Sequence, residues 1–234
     1  MKQLPLGVRL RAAATFESFV PGANTELLAA LRNSGAEPGL APAPLWLWGG
    51  HGCGKTHLLQ AVCAATGDTA AYFPLDRSLA LPPQALVGFE GCRVLCVDDV
   101  DVAAGEAAWE HGLFRLFNEA AELRTRLVFA AGAAPRGLPW ELEDWRSRAA
   151  ACVVYQLHEL DEEGMALALS LRAAQRGLQM PRETSDYLLR RLPRDLPSLF
   201  EILDHLDEAS LVAQRRLTIP FIRDALEKRA RTKP

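Results

Sequence analysis

The sequence predicts an α/β fold in which helices cover a parallel β-sheet. Short, continuous apolar runs alternate with longer stretches whose apolar residues recur every three or four positions. Runs of this length are typical of strands buried on both faces, whereas the longer period is that of a helix. Strands and helices that alternate along a chain favour a parallel sheet, because each helix returns the chain to the start of the next strand.

The predicted strands all lie before residue 158. They comprise residues 45–48, 70–73, 94–97, 127–131 and 153–155. Between them, residues 57–65 and 107–123 place apolar side chains at helical spacing, so both stretches are predicted to be helices.

From about residue 158 onward the pattern is helical only, and this change marks the predicted subdomain boundary. Met165 and Tyr187 lie in two of the predicted helices, and the apolar stripe at 196–206 marks a third. Asp195 is expected in the first turn of that third helix. Pro220 suits the first turn of a final helix, where its missing N–H is not needed. We therefore expect a flexible tail over 1–14, an α/β subdomain over 15–157 and a helical subdomain over 158–234.

The composition excludes several classes of protein. The chain has 234 residues, of which 49% are hydrophobic and 24% charged, so one large domain or two modest ones are expected. No apolar stretch reaches the roughly 20 residues of a membrane span, and the N-terminus lacks the pattern of a secretory signal. A cytoplasmic protein with no membrane partner is expected.

Cysteine usage and charge exclude further classes. The five cysteines form no C-x-x-C pair, which argues against a disulfide framework and against a zinc site. They are expected to be small buried residues. The formal net charge of −3 gives no general attraction to nucleic acid phosphates, so any action on DNA is expected to be indirect.

A phosphate-binding loop follows the first predicted strand. The pattern G-x-x-x-x-G-K-[ST] is matched by Gly49-Gly50-His51-Gly52-Cys53-Gly54-Lys55-Thr56. The glycines allow consecutive backbone N–H groups to surround phosphate oxygens at a helix N-terminus. Lys55 would neutralise the β- and γ-phosphates, and Thr56 would coordinate Mg²⁺. We therefore predict that this loop and the adjacent His57 bind ADP or ATP together with Mg²⁺.

Two acidic residues end the third predicted strand. Asp98 and Asp99 follow the apolar run 94–97. A carboxylate at the carboxyl end of a strand can hold the water shell of Mg²⁺, and a second acid can polarise an attacking water. Either acid could instead cap a helix or stabilise a turn. Because the pair follows an intact phosphate loop, we assign Asp98 to Mg²⁺ and Asp99 to water.

Further segments extend the pattern over almost the whole chain. They are TFESFVPG at 15–22, VLCVDD at 94–99 and FRLFN at 114–118. With the phosphate loop, these segments resemble the AAA+ core of the bacterial replication initiator DnaA. Other segments, QLPL at 3–6, YFPLD at 72–76 and AQRRLTIPF at 213–221, are more similar still to the Hda-type family. The resemblance implies an AAA+ P-loop NTPase, with a parallel-sheet nucleotide-binding subdomain and a C-terminal helical lid.

The resemblance also implies roles for two arginines. Arg148 stands where the family has its arginine finger, so it would reach the nucleotide of a neighbouring AAA+ subunit. A guanidinium suits this role because it is planar, permanently charged and able to face phosphate oxygens with two N–H groups. Arg194 stands where the family has its lid arginine, which contacts the nucleotide in cis. From the residues alone, Arg148 is typical of a solvated surface arginine and Arg194 of a residue that flanks a helix.

Partners are implied as well. Gln3, Leu4 and Leu6 resemble the peptide by which Hda-type proteins bind the sliding clamp, the beta subunit of DNA polymerase III. Such a peptide can dock in extended form in a hydrophobic groove. Gly7 and Val8 depart from the longer Leu-Pro-Leu run that is usual in the family. DnaA would be the target, DNA would be reached through the clamp at the nucleoid, and a homo-oligomer is an open alternative.

One departure concerns hydrolysis by the chain itself. The family usually has a polar residue at the end of the fourth strand, where this chain has Ala130 and Ala131. An alanine side chain can neither donate nor accept a hydrogen bond. We therefore expect this chain's own ATP hydrolysis to be weak or absent, while nucleotide binding is retained.

These inferences predict a negative regulator of chromosomal replication initiation. Bound to nucleotide and to the DNA-loaded clamp, it would stimulate hydrolysis of DnaA-bound ATP through Arg148. An initiator is not expected, because the chain ends soon after Pro220 without a helix-turn-helix domain.

Other functions stay open on the sequence. An AAA+ helicase loader shares the nucleotide-binding core, although segment 15–22 and the tail argue against it. A non-hydrolysing scaffold would keep the phosphate loop only because bound nucleotide stabilises the fold. A small-molecule kinase is a weaker alternative, because the helical part from residue 158 resembles a lid.

Overall fold

In the computed structural model, a five-stranded parallel sheet organises the first part of the chain. The structure describes residues 14–33, 42–78, 81–89, 92–193, 195–213 and 217–232. The strands are β1 (Leu45–Trp48), β2 (Ala70–Pro74), β3 (Val94–Asp98), β4 (Arg126–Ala131) and β5 (Val153–Gln156). They lie in the order β2-β3-β4-β1-β5, and every neighbouring pair is parallel. The predicted α/β fold class is therefore confirmed.

Helices connect these strands. They are α1 (Thr25–Arg32), α2 (Lys55–Thr66), α3 (Leu75–Ser78), α4 (Ala107–Leu123) and α5 (Glu143–Ala150). Helix α2 begins two residues before the predicted stretch, and α4 has the predicted bounds. Helices α1, α3 and α5 were not predicted, because one or two turns show too little of the helical period to be recognised.

Alternate residues of the strands enter two separate hydrophobic cores. Trp46 and Phe129 point to the core formed with α4 and α5. Leu47 and Ala130 point to the opposite core, formed with α1 and α2. Successive side chains of a strand face opposite sides of the sheet, so helices on both sides keep the central strands out of water.

Burial on both faces was predicted for all strands, and this prediction is wrong for the outer two. Val153 and Val154 of β5 are 42% and 41% exposed. In β2, Ala70 and Tyr72 are only partly buried. An edge strand has a neighbour on one side only, and an apolar run does not tell which strands will lie at the edge. Among the cysteines, Cys92 is likewise only partly buried, against the expectation that all five would be.

A second compact unit follows the α/β unit. It contains Val20–Gly22 and the chain from Leu160 onward, and the remaining described residues form the first unit. Its helices are α6 (Glu162–Gln175), α7 (Arg182–Arg191), α8 (Leu196–Ala213) and α9 (Ile219–Thr232). Their apolar faces meet in cores that include Leu188, Leu199, Leu203 and Ile222.

The termini of these helices follow capping rules. Pro220 is the second residue of α9, as its first-turn position predicted. Asp195 precedes α8 and accepts a hydrogen bond of 2.8 Å from the Ser198 N–H, so it caps this helix and does not lie within its first turn. Within the described ranges, none of the helices combines the length and the apolar surface that crossing a bilayer demands.

Candidate nucleotide-binding site

The phosphate loop lies at the carboxyl edge of the sheet, between β1 and α2. Two of its glycines are required by geometry. A Cβ atom at Gly49 would lie 2.5 Å from the Leu157 carbonyl oxygen. Gly54 has a φ of +107°, which a larger residue adopts only with strain, and it directly precedes α2. The loop can therefore turn sharply into the helix and present its N–H groups there.

Lys55 and Thr56 form the first turn of α2. The Lys55 Nζ donates hydrogen bonds to the carbonyl oxygens of Gly49 at 2.8 Å and Gly50 at 2.9 Å. The ammonium group thus lies beside the loop, where a phosphate would need it. Thr56 is exposed and can offer its hydroxyl to a ligand, as can the exposed His51. Cys53 is buried, and this burial raises the pKa of its thiol, so the neutral form predominates.

His57, which was predicted to bind nucleotide, contacts the segment 15–19. Its Nε2 lies 2.9 Å from the Thr15 carbonyl oxygen and 3.2 Å from the Ser18 Oγ. Its ring centroid lies 5.7 Å from that of Phe19, and the Phe19 ring would meet a Cβ at Gly54 at 2.9 Å. His57 therefore joins segment 15–19 to the start of α2, one residue from Thr56.

Asp98 is held rigidly at the carboxyl end of β3. It is 1% exposed, and both carboxylate oxygens accept hydrogen bonds. The Tyr72 hydroxyl donates to Oδ2 at 2.8 Å, and the Asp99 N–H donates to Oδ1 at 3.1 Å. Burial and the neighbouring Asp98 raise the pKa of the Tyr72 hydroxyl, so Tyr72 remains a donor.

Asp99 has an unusual backbone and an unusual acidity. Its φ of 54° lies in the left-handed region, which residues other than glycine rarely adopt. Its pKa is raised to about 6, first because it is partly buried and then because the carboxylates of Asp98, Asp76 and Asp101 repel its negative charge. Lys55 acts in the opposite direction. A carboxyl group with this pKa can exchange a proton near neutral pH.

Asp101 was not predicted, and it lies beside the end of β4. Its Oδ2 would be 2.9 Å from a Cβ at Gly132, and its Oδ1 is buried without a hydrogen-bond partner among the described residues. No local pattern in the sequence distinguishes this aspartate from a surface residue.

The residues at this edge fit a Mg²⁺ ion that is shared with a nucleotide. The described residues contain no cluster of three or more His, Cys, Asp or Glu side chains that could hold a metal unaided. Mg²⁺ usually takes one or two carboxylates together with water and substrate phosphates. Asp98, Thr56 and a phosphate bound by the loop supply such a set, and Mg²⁺ would offset the charge on the phosphates.

Helix α5, which carries Arg148, is anchored by aromatic packing. Trp145 is completely buried and makes edge-on contacts with Trp140, Phe129 and Phe117, at centroid distances of 5.7, 5.7 and 6.3 Å. These contacts fix the orientation of α5 on the sheet. Arg148 is exposed, and its guanidinium carbon lies 5.9 Å from the centre of the Phe117 ring.

Arg146 and Arg148 are both exposed, but their contacts differ. Arg146 forms an ion pair of 2.7 Å with Glu143 and also donates to the Trp140 carbonyl oxygen. Within the described part of the chain, the Arg148 guanidinium has no ion pair or hydrogen bond. Arg146 therefore holds the start of α5 in place, while the guanidinium edge of Arg148 is available to a ligand.

Glu110 was also missed by sequence reasoning. It is completely buried in α4, and its carboxylate accepts hydrogen bonds from three backbone N–H groups. The donors are Gly105 at 2.9 Å, Glu141 at 3.0 and 3.1 Å, and Leu142 at 2.7 Å. Leu142 directly precedes α5, so Glu110 ties the start of the Arg148 helix to α4. A glutamate in an amphipathic helix normally predicts a solvated position, and nothing local signals this one.

Other predicted residues lie elsewhere. Ala130 and Ala131 are completely buried in β4, where they offer no polar side-chain atom. The proposed clamp-binding residues Gln3, Leu4 and Leu6, with Gly7 and Val8, lie outside the described residues, and so does Arg194.

Two family models match the chain. The model of the bacterial DnaA ATPase domain matches residues 10–72, and the model of the Hda lid domain matches residues 153–226. The first match contains the phosphate loop, and the second contains α6, α7 and α8 and the first part of α9. Together the matches span more than half of the chain.

Solved structures share the fold. Domain III of the replication initiation protein DnaA from Thermotoga maritima is 22% identical with a TM-score of 0.77, over 94% of this chain and 98% of that one. AMPPCP-bound DnaA from Aquifex aeolicus is 21% identical with a TM-score of 0.67, over 83% of this chain and 65% of that one.

A more distant similarity extends to a branch migration motor. The Thermotoga maritima RuvB Holliday junction branch migration motor is 15% identical with a TM-score of 0.67, over 93% of this chain and 72% of that one. Identities this low show a common fold and nothing finer. The two family matches, together with the phosphate loop and the parallel sheet, identify the chain as an Hda-like, DnaA-homologous AAA+ protein.

Proposed function

We propose that this chain binds ADP or ATP with Mg²⁺ and stimulates the hydrolysis of ATP bound to DnaA. The observation that carries the proposal is the contrast between Arg148 and Arg146. Arg148 is exposed on a helix anchored by Trp145, and its guanidinium has no acidic partner among the described residues. Arg146, two residues away, is paired with Glu143. An arginine supplied in trans must be oriented by its own subunit and yet unpaired within it.

The chemistry of such a contact is well defined. ATP hydrolysis develops negative charge on the transferred phosphoryl group, and a guanidinium beside it stabilises this charge. An arginine finger accelerates phosphoryl transfer by about 10³–10⁵-fold. Arg148 would therefore act on the nucleotide of DnaA, while the phosphate loop of this chain holds its own nucleotide.

The site of this chain supports binding more than turnover. Lys55, Thr56 and Asp98 supply the phosphate and metal contacts, whereas Ala130 and Ala131 give β4 no side chain that could orient a water. We infer that the chain hydrolyses its own nucleotide weakly or not at all. Residues 3–6 would attach it to the DNA-loaded sliding clamp, and this attachment would bring it to the nucleoid.

Single-turnover hydrolysis of DnaA-bound ATP tests the proposal. DnaA preloaded with labelled ATP is mixed with clamp-loaded DNA and with wild-type chain, Arg148→Ala or the control Arg136→Ala, which removes an exposed arginine from the same unit. We expect the wild type and the control to accelerate hydrolysis, and Arg148→Ala to lose most of the acceleration while it still binds nucleotide and clamp. Acceleration that survives Arg148→Ala removes this residue from the mechanism, and no acceleration by the wild type refutes the function.

A further inference from the structure

A cavity lies at the amino edge of the sheet, at the opposite edge from the phosphate loop. Its volume is about 340 Å³, near the lower end of small-ligand sites. It lies where β3 and β4 begin, next to the ends of α1 and α2. Its lining includes four arginines, Arg32, Arg93, Arg124 and Arg126, and no carboxylate among the described residues. We call it the arginine cavity.

The positive charge of this cavity is opposite in sign to the net charge of the whole chain. The whole chain has a formal net charge of −3. Four guanidinium groups around one cavity repel one another and create a local positive potential. Such an arrangement costs stability unless the guanidinium groups have partners.

Arg126 has structural partners. It is 5% exposed, and its side chain donates to the carbonyl oxygens of Ala30 at 2.6 Å and Leu31 at 3.3 Å. These carbonyls lie in the last turn of α1, so Arg126 satisfies acceptors that the helix leaves unpaired. Burial lowers the pKa of its guanidinium. Arg126 therefore has a structural role, because it stabilises the end of α1.

The three other arginines are exposed, and two of them lack such a role. Arg32 lies over the Phe16 ring at 5.3 Å and has Glu17 as an acidic neighbour. For Arg93 and Arg124, the described residues provide neither a hydrogen bond nor an ion pair to the guanidinium. Their charge at the mouth of the cavity is thus left for a ligand.

We propose that the arginine cavity binds a nucleoside phosphate, separate from the nucleotide of the phosphate loop. The phosphates would lie between the guanidinium groups of Arg93 and Arg124, which can face their oxygens with two N–H groups each. The nucleoside would lie against the apolar wall formed by Leu31, Val62 and Val94. A single-stranded nucleic acid fits less well, because it requires a long groove with open aromatic platforms, and the Phe16 ring is covered by Arg32.

Binding measured in a background without the lysine of the phosphate loop tests this site. All variants carry Lys55→Ala and are titrated calorimetrically with ADP and with inorganic tripolyphosphate, in EDTA at constant ionic strength. The test pair is Arg93→Ala with Arg124→Ala. The matched control pair, Arg115→Ala with Arg136→Ala, removes the same charge from exposed positions of the same unit. Thermal unfolding of every variant verifies that it is folded.

We expect both probes to bind the background protein, and the test pair to weaken binding at least about 10-fold while the control pair changes it less than about 2-fold. Equal loss in both pairs, or no binding to the background protein, overturns the proposal. A 15-nucleotide single-stranded DNA that binds in an Arg93- and Arg124-dependent manner, when ADP does not, assigns the cavity to nucleic acid and also overturns it. If Lys55→Ala fails to fold, the wild-type chain is titrated with ADP in EDTA instead. We then expect a second binding event that the test pair removes and the control pair retains, and a single event unaffected by the test pair overturns the proposal.

Discussion

The two edges of the central sheet carry opposite chemistry. At the carboxyl edge lie the phosphate loop and the carboxylates of Asp98, Asp99 and Asp101, whereas the arginine cavity occupies the amino edge. In a parallel α/β sheet, helices begin at the carboxyl edge and end at the amino edge. Their free N–H groups and free carbonyl groups are separated in the same way. Helix polarity therefore favours negative side chains at the carboxyl edge and positive side chains at the amino edge. Charges that do not pair with these backbone groups occur only at particular residues.

Two buried side chains follow the rule. Glu110 accepts from N–H groups at the carboxyl edge, and Arg126 donates to carbonyl groups at the amino edge. Two other features do not follow the rule. Lys55 places a positive charge at the carboxyl edge, and Arg93 and Arg124 place positive charges at the amino edge that no described acceptor neutralises. We propose that a ligand binds at each of these two places.

The largest effect is expected from removal of the buried acid. Glu110→Ala removes a completely buried carboxylate and leaves three backbone N–H groups without their acceptor, and we expect the free energy of unfolding to fall by about 3–5 kcal/mol. Urea unfolding at neutral pH measures the loss. Glu119→Ala, which removes a partly exposed glutamate from the same helix, is the control and is expected to cost less than about 1 kcal/mol. Equal losses in the two variants would show that Glu110 has no special role.

A smaller effect is expected at the opposite edge. Arg126→Met keeps the apolar stem but leaves the carbonyl groups of Ala30 and Leu31 without their donor, and we expect a loss of about 2–3 kcal/mol. Arg126 serves two backbone acceptors, whereas Glu110 serves three backbone donors, so the cost is lower. Arg124→Ala, at the exposed rim, should change stability by about 0.5 kcal/mol or less. A larger loss for Arg124→Ala than for Arg126→Met would contradict this account.

The smallest effect concerns the charge on Asp99. Its pKa of about 6 in the folded protein exceeds the unfolded value of 3.8, so the folded state binds the proton more tightly. Ionised Asp99 therefore lowers stability, and this penalty develops as the pH rises from about 4 to 6. In EDTA, Asp99→Asn should raise the unfolding temperature at pH 7.5, by the equivalent of about 1 kcal/mol after solvent screening. At pH 4 this increase in unfolding temperature should vanish. An increase that becomes larger as the pH falls would show that the pKa of Asp99 is not raised in the folded protein.

Local patterns predicted the parts of the molecule that depend on local chemistry. The strand runs, the bounds of α4 and the phosphate loop all follow from spacing within one segment. Asp98 was predicted at the end of β3 for the same reason. The exposure of Val153 was not predictable, because it depends on β5 lying at the edge of the sheet.

The remaining features depend on contacts between distant segments. Glu110 accepts from an N–H group beyond α4 and β4, and the arginine cavity brings together residues as far apart as Arg32 and Arg126. The pKa of Asp99 depends on Asp76 and Asp101, which reach it through different loops. Nothing in the neighbouring sequence distinguishes these residues from solvated ones, so only the fold could identify them.

We expect the carboxyl edge of the sheet, and not the amino edge, to hold the Mg²⁺-dependent nucleotide. Calorimetric titration with ADP and Mg²⁺ tests it directly in three proteins: wild type, Lys55→Ala, and the pair Arg93→Ala with Arg124→Ala. We expect Lys55→Ala to weaken Mg²⁺-dependent ADP binding about 100-fold, because a lysine placed to contact phosphate is lost. The arginine pair should leave it within about 2-fold. Loss of this binding in the arginine pair, with Lys55→Ala unaffected, would place the Mg²⁺-dependent nucleotide at the amino edge instead.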